Sequence, residues 1–166
     1  MKLIVAVDNE WNIGRDNGLL FSIPTDMKFF RTTTSGKVVV MGRKTLDSFP
    51  NGKALPKRVN IVLTANENFE RENVTVCHSV ENVLEEVKKY NTDDVFIIGG
   101  EAIYKLFLPY CDTAYVTHVN ALAEGADKKF PDLSALNEWK LTQQSDMIED
   151  NGYEIRFCTY TKDENG

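Results

Sequence analysis

Four short apolar runs constrain this chain more than any other feature of its sequence: Leu3-Ile4-Val5-Ala6-Val7, Lys37-Val38-Val39-Val40-Met41-Gly42, Val59-Asn60-Ile61-Val62-Leu63-Thr64 and Val95-Phe96-Ile97-Ile98-Gly99. A strand with one wet face alternates apolar and polar residues, whereas a strand covered on both faces is apolar throughout and rich in β-branched residues. These runs are of the second kind. They are also too short for a membrane span. They therefore read as central strands of a mostly parallel sheet.

The stretches between them supply the covering layers. Val80, Val83, Leu84 and Val87 recur at helical spacing behind Ser79, a suitable N-cap, and Ala102, Ile103, Leu106 and Phe107 mark a second helix stopped near Pro109. Thr25, immediately after Pro24, is expected to cap a third helix that opens with Asp26 and carries Met27, Phe29 and Phe30. The last third changes character. Ala114 to Val119 reads as a strand, and residues 139–148 and 153–161 flank Asp150-Asn151-Gly152, a strong hairpin signal. The expectation is one α/β domain over residues 1–166, with a mostly parallel central sheet of about eight strands, a C-terminal antiparallel hairpin and helices on both faces. Such sheets bind ligands at the carboxyl ends of their strands.

Composition removes several classes of function. With a formal net charge of -6, the chain as a whole repels nucleic acid and acidic membrane surfaces, so an anionic ligand must meet locally placed cations. No apolar run reaches the length of a signal peptide core or a membrane span, which points to a soluble cytoplasmic protein, expected to be a monomer. Cys77, Cys111 and Cys158 lack CxxC spacing and read as free thiols; His78 beside Cys77 and the isolated His118 do not make a metal site. Neither GxGxxG nor GxxxxGK[ST] occurs, which excludes a standard Rossmann fingerprint and a P-loop.

Two longer spans are more specific. Ile13-Gly14-Arg15-Asp16-Asn17-Gly18-Leu19-Leu20-Phe21-Ser22-Ile23-Pro24-Thr25-Asp26-Met27-Lys28-Phe29-Phe30 resembles the active-site loop and first helix of bacterial-type dihydrofolate reductases, and Val40-Met41-Gly42-Arg43-Lys44-Thr45 resembles their cofactor segment. Leu55-Pro56-Lys57-Arg58-Val59-Asn60, Ile98-Gly99-Gly100-Glu101-Ala102-Ile103-Tyr104, Tyr115-Val116-Thr117-His118 and Phe130-Pro131 follow in the same order, so the resemblance runs from residue 1 to about residue 161.

The resemblance implies reduction of dihydrofolate by NADPH in support of one-carbon metabolism, with antifolate inhibitors as further small-molecule ligands. Its catalytic candidates are Asp26, Thr117, Phe21 and Leu19. On position alone, Asp26 would be an acid complementing a helix dipole. In the family's context it is the carboxylate that accepts the adjacent N3-H and 2-amino hydrogens of a pterin, a task for which a carboxylate is suited. Thr117 matches the threonine that bonds this carboxylate and the pterin amino group. Ile4, Val5, Met27, Phe30, Phe49 and Leu55 match the walls of the substrate site, with Ile4 and Ile98 offering main-chain carbonyls. Arg58 matches the arginine that grips the glutamate α-carboxylate, a planar bidentate contact.

For NADPH, the resemblance implies that Gly42, Arg43, Lys44 and Thr45 meet the phosphates, Arg43 and Lys44 taking the 2′-phosphate. Leu63, Thr64, Ala65 and His78 fall at the adenosine end. Ala6, Ile13 and Gly14, with Asn17, Gly18 and Leu19 in the loop from Asn9 to Leu20, fall at the nicotinamide end, and that loop is expected to act as a lid. Ile98, Gly99, Gly100, Glu101, Ala102, Ile103 and Tyr104 complete the set, Gly99-Gly100 through a cis peptide and close backbone approach.

The chain departs from the family pattern in places. Phe21 stands where bacterial relatives carry tryptophan, removing an indole N-H; Leu19 replaces methionine, Ala65 replaces a hydroxyl residue, and Phe49-Pro50-Asn51-Gly52-Lys53-Ala54 looks longer than the compact bacterial loop. Two rival readings stay open at this stage: a related ribityl-pyrimidine reductase, which would not require Asp26 and Arg58, and a catalytically silent antifolate- or nucleotide-binding module.

Overall fold

The computed structural model describes residues 1–14 and 21–162. In chain order the strands are β1 Lys2–Val7, β2 Asn12–Gly14, β3 Val38–Gly42, β4 Val59–Leu63, β5 Val74–Cys77, β6 Val95–Gly99, β7 Thr113–Val119, β8 Lys128–Lys129, β9 Trp139–Gln144, β10 Ile148–Asp150 and β11 Tyr153–Lys162. The α-helices are α1 Pro24–Thr34, α2 Arg43–Asp47, α3 Val80–Val87 and α4 Glu101–Phe107.

The main sheet runs β10-β11-β7-β1-β6-β3-β4-β5, with β9 added on β11 as its ninth strand. Six neighbours, β7, β1, β6, β3, β4 and β5, are parallel, and β11 is antiparallel to β7. The four apolar runs are all inside this parallel part. Side chains alternate between two faces. Leu3, Val5 and Val7 of β1 join a cluster with Val83 and Val87 of α3 and Ile103, Tyr104 and Phe107 of α4. Ile4, Val39, Met41, Val62 and Phe96 join another with Leu46 of α2, against which Phe29 and Phe30 of α1 pack. Both faces are covered, as the unbroken apolar runs require.

Three local features differ from the sequence reading. Thr25 is not the cap of α1. The helix starts at Pro24 behind Ile23, which caps with no side-chain bond, and the Thr25 N-H donates instead to Asp150 Oδ2 at 2.6 Å. Proline with its fixed φ suits the first helical position, so Thr25 falls one position inside, and its free N-H is met by a residue far along the chain. Residues 139–148 form two strands, because Ser145 leaves the ladder to exchange bonds with Phe157, and β9 and β10 then share β11. Finally, β5 and the small β2-β8 pair had no counterpart in the sequence reading. Asn151 and Gly152 at the hairpin tip have positive φ, 51° and 80°, as a two-residue turn of this kind demands.

Phe107 is wholly buried where α4 meets the sheet. Phe107→Ala is expected to cost about 3–5 kcal/mol in denaturant unfolding, with the midpoint falling and the slope unchanged.

Candidate active site

The parallel strands end on one edge of the sheet, and the sequence-derived site residues collect there: Ala6 on β1, Gly42 to Thr45 after β3, Leu63 to Ala65 after β4, His78 after β5, Ile98 to Gly100 after β6 and Thr117 on β7. Ala6 lies opposite Thr117 in the β1-β7 ladder.

Asp26 projects from the first turn of α1 toward β7, where the buried Thr117 hydroxyl donates to Oδ1 at 2.7 Å. Burial raises the proton affinity of Asp26, and the Thr117 bond pulls the other way without cancelling it. The residue as a whole is half-buried, so it stays within reach of solvent. Beside it, Tyr104 is fully enclosed, and its hydroxyl donates to the Ile4 carbonyl at 2.7 Å. Burial, with the charge of Asp26 adding to it, keeps that phenol protonated.

Tyr104 also reaches the glycine pair. Gly99 has φ +125°, a region closed to other residues, and a Cβ there would lie 3.4 Å from the Tyr104 ring and 3.6 Å from Thr45 Oγ1. A Cβ on Gly100 would sit 3.7 Å from the same threonine oxygen. The Gly99-Gly100 peptide is cis, and the β3-β6 register shifts here so that Met41 faces Gly99. Gly42 lets α4 close in, since a Cβ there would press on Ile103 at 3.1 Å. The result is a cradle of bare backbone facing a hydroxyl across two adjacent strand ends, which fits an anionic group such as a pyrophosphate.

The cations stand on either side. Arg43 and Lys44 are exposed at the start of α2. His78 Nδ1 is 2.9 Å from the Thr64 carbonyl, tying the ends of β4 and β5 together, while Ala65 beside it is exposed. Arg58 is half-buried on the substrate side: Nε donates to Thr34 Oγ1 at 2.9 Å, and its terminal amino groups make only long contacts, 3.3 and 3.4 Å, to the Pro56 and Arg31 carbonyls. Burial and the neighbouring Arg31 charge lower its pKa.

Other candidates are placed less uniformly. Phe30, Phe49 and Leu55 pack on the Ile4 and Ile98 face, whereas the Val5 side chain belongs to the opposite cluster, so Val5 presents only backbone there. Met27 is 50% exposed and is not drawn in beside them. Phe21 packs against Tyr153 at 5.0 Å between centroids, with Ile23 and Ile155. Glu101 accepts from the Lys129 N-H at 2.7 Å, and Ala102 is exposed at the head of α4. Ile13 and Gly14 sit on β2, whose approach is fastened by the buried Asp8 through bonds from the Glu10, Asn12 and Ala123 N-H groups and the Asn12 amide. Asn17, Gly18 and Leu19 lie outside the described residues.

Sequence reasoning gave no role to three supporting residues. Asn60, buried in β4, exchanges two 2.9 Å bonds with the Leu55 backbone and donates to the Arg58 carbonyl, so it braces the segment carrying both. Its signal was a lone amide within an apolar run. Asp150 and Asn151, which hold the Thr25 N-H and the Ser22 carbonyl, left no such trace.

The comparisons with known proteins agree over the whole arrangement. The family model described as dihydrofolate reductase matches residues 1–162. The chain belongs to the dihydrofolate reductase family. It is 38% identical over 164 residues to the dihydrofolate reductase of Staphylococcus haemolyticus, covering 98% of this chain and 95% of that one. The enzyme of Bacillus subtilis is 37% identical, with 98% and 94% covered. Among solved structures, a dihydrofolate reductase from Enterococcus faecalis complexed with NADP(H) and RAB-propyl superposes with a TM-score of 0.88 at 32% identity, over 98% of this chain and 96% of that chain.

A buried acid leaves a signature in stability. The folded carboxyl keeps its proton to higher pH than the unfolded one, so its burial weakens the fold progressively as pH rises from the ordinary value of 3.8 through the raised one. Asp26→Asn is therefore expected to raise Tm by about 2–4 °C at about pH 7, the gain vanishing in acid when melting is followed by calorimetry.

Proposed function

We propose that this protein reduces dihydrofolate to tetrahydrofolate with NADPH, feeding one-carbon metabolism. The observation that carries the reading is the Asp26 carboxylate, raised in proton affinity by burial and bonded by Thr117, at the same end of the sheet as the Gly99-Gly100 cradle.

A pterin bound against Asp26 gives its N3-H and 2-amino hydrogens to the two carboxylate oxygens, and the Thr117 hydroxyl keeps that carboxylate turned toward the cleft. Orientation is the first contribution, since a ring held in one pose makes the transfer effectively unimolecular. Ile4, Ile98, Phe30, Phe49 and Leu55 form the apolar wall, and Met27 stands at its exposed margin. Arg58, with its Nε already engaged, turns its terminal amino groups, held only by long contacts to the Pro56 and Arg31 carbonyls, to the glutamate α-carboxylate. The same apolar, acid-bearing cleft supports binding of antifolate inhibitors with basic ring edges.

NADPH, when bound, supplies the hydride to C6 of the pterin. Gly99, Gly100 and Thr45 would hold its pyrophosphate, Arg43 and Lys44 its 2′-phosphate, Leu63, Thr64, Ala65 and His78 its adenosine end, and Ala6, Ile13, Gly14 and the head of α4 its nicotinamide end. The proton that N5 must gain comes from solvent reaching the pterin beside Asp26, whose proton affinity burial raises.

Three buried, unpaired cysteines suit a reducing compartment, which supports a cytoplasmic location, and among the described residues no helix is long and apolar enough to cross a membrane. We also propose that the chain works as one domain and as a monomer, which light scattering and a single unfolding transition would test.

Loss of NADPH absorbance on mixing purified protein with dihydrofolate is the direct test; no loss rejects the proposal. Asp26→Asn is expected to lower turnover by about a hundredfold or more at neutral pH and to recover part of it in acid, where the substrate arrives protonated. An equal deficit at every pH would reduce Asp26 to a structural role.

A further inference from the structure

Arg43 is part of a charged cluster that no site assignment above includes. Its Nε lies 3.6 Å from Asp47 Oδ2, one turn along α2. The other oxygen of Asp47 accepts from Arg71 NH2 at 3.0 Å. Arg71 NH1 in turn donates to the Gly52 carbonyl, so this arginine is fixed at both ends of its fork. Both guanidinium groups also lie over the ring of Phe69, at 5.4 Å for Arg43 and 5.2 Å for Arg71, and that ring is nearly buried. Two cations thus share one carboxylate and one aromatic ring.

The geometry of the sharing is unequal. Asp47 makes a hydrogen bond with Arg71 but only a longer charge contact with the Nε side of Arg43, which leaves the terminal amino groups of Arg43 uncommitted. Asp47 and Arg43 are four residues apart on one helix, a spacing at which they always remain within reach. With Arg71 gone, nothing would hold Asp47 away, and it would turn onto Arg43 and cancel its charge. The surroundings offer little in compensation. Glu70 and Glu72 line the same surface groove as Arg71, and the chain is acidic overall.

We infer that Arg71 is a specificity-determining residue for NADPH: by hydrogen-bonding Asp47 it keeps that carboxylate from pairing fully with Arg43, whose terminal amino groups stay available to the 2′-phosphate. The inference rests on the proposed assignment of Arg43 to that phosphate. Arg71 acts through Asp47 and Arg43 and is a positioning residue; it need not touch the cofactor. Discrimination between NADPH and NADH is then set partly by a carboxylate that is kept engaged elsewhere.

The test is calorimetric titration of the full chain with NADPH and with NADH, which reads binding without turnover. Arg71→Gln is expected to weaken NADPH by about tenfold while shifting NADH by less than about twofold, because only one of the two carries the extra phosphate. Arg71→Lys, which keeps the charge, should retain most of the preference. Removing the released carboxylate as well, in Arg71→Gln with Asp47→Asn, should return NADPH affinity to within about threefold of the parent. Equal weakening of both dinucleotides by Arg71→Gln, or failure of the double variant to recover, overturns the inference and leaves Arg71 as a fastener of the Gly52 loop. Arg43→Gln separates the two levels. If it abolishes the preference while Arg71→Gln does not, only the role of Arg71 fails; if it leaves the preference intact, the assignment of Arg43 fails and the inference with it.

Discussion

Parallel pairing of six strands is the constraint on which the rest of this structure depends. Parallel neighbours need crossover connections, the crossovers place helices over both faces, and every strand then delivers its carboxyl end to the same edge. Ala6, Gly42, Leu63, Gly99 and Thr117 are far apart in sequence yet occupy that one edge, because each is at or near the end of its strand. The apolar runs make the arrangement stable, since only a doubly covered sheet hides side chains such as Leu3 and Ile4 that leave adjacent positions in opposite directions.

On this scaffold the site is assembled from conflicting electrical requirements. The protein is acidic, yet it must receive a phosphate-bearing dinucleotide and a substrate with a carboxylate tail. The features proposed to meet them are local: a bare backbone cradle at Gly99 and Gly100, exposed Arg43 and Lys44, and Arg58 with its Nε anchored on Thr34. Asp26 is handled the other way, with burial holding its proton affinity up and the Thr117 hydroxyl bond holding its orientation. Tyr104 lies between the two regions, its hydroxyl bonded to the Ile4 carbonyl and its ring filling the space that a side chain at Gly99 would enter.

Much of the precision comes from residues that bear no ligand. Asn60 straightens the segment that carries Leu55 and Arg58, Asp8 fastens the approach to β2, and the Asp150-Asn151 tip grips the chain just ahead of Asp26. Each satisfies backbone groups that a helix start or a loop would otherwise leave unpaired, so function and hydrogen-bond completeness are met by the same contacts. The β10-β11 hairpin, on the far side of the sheet from Arg43 and Lys44, is thereby tied to the helix that carries Asp26.

What the residues alone determined is what depends on local pattern: the unbroken apolar runs dictated buried strands, the Ser79 cap and the spacing behind it dictated α3, and Asp150-Asn151-Gly152 dictated a hairpin. Family resemblance then named Asp26 and the glycine pair. The tertiary structure alone decided which partners those residues meet. That Asp150 takes the Thr25 N-H and that Arg71 competes with Arg43 for Asp47 both follow from chain segments brought together over long separations. Local sequence carries the backbone's preferences, but a carboxylate or an N-H is indifferent to where along the chain its partner comes from, and only packing selects one.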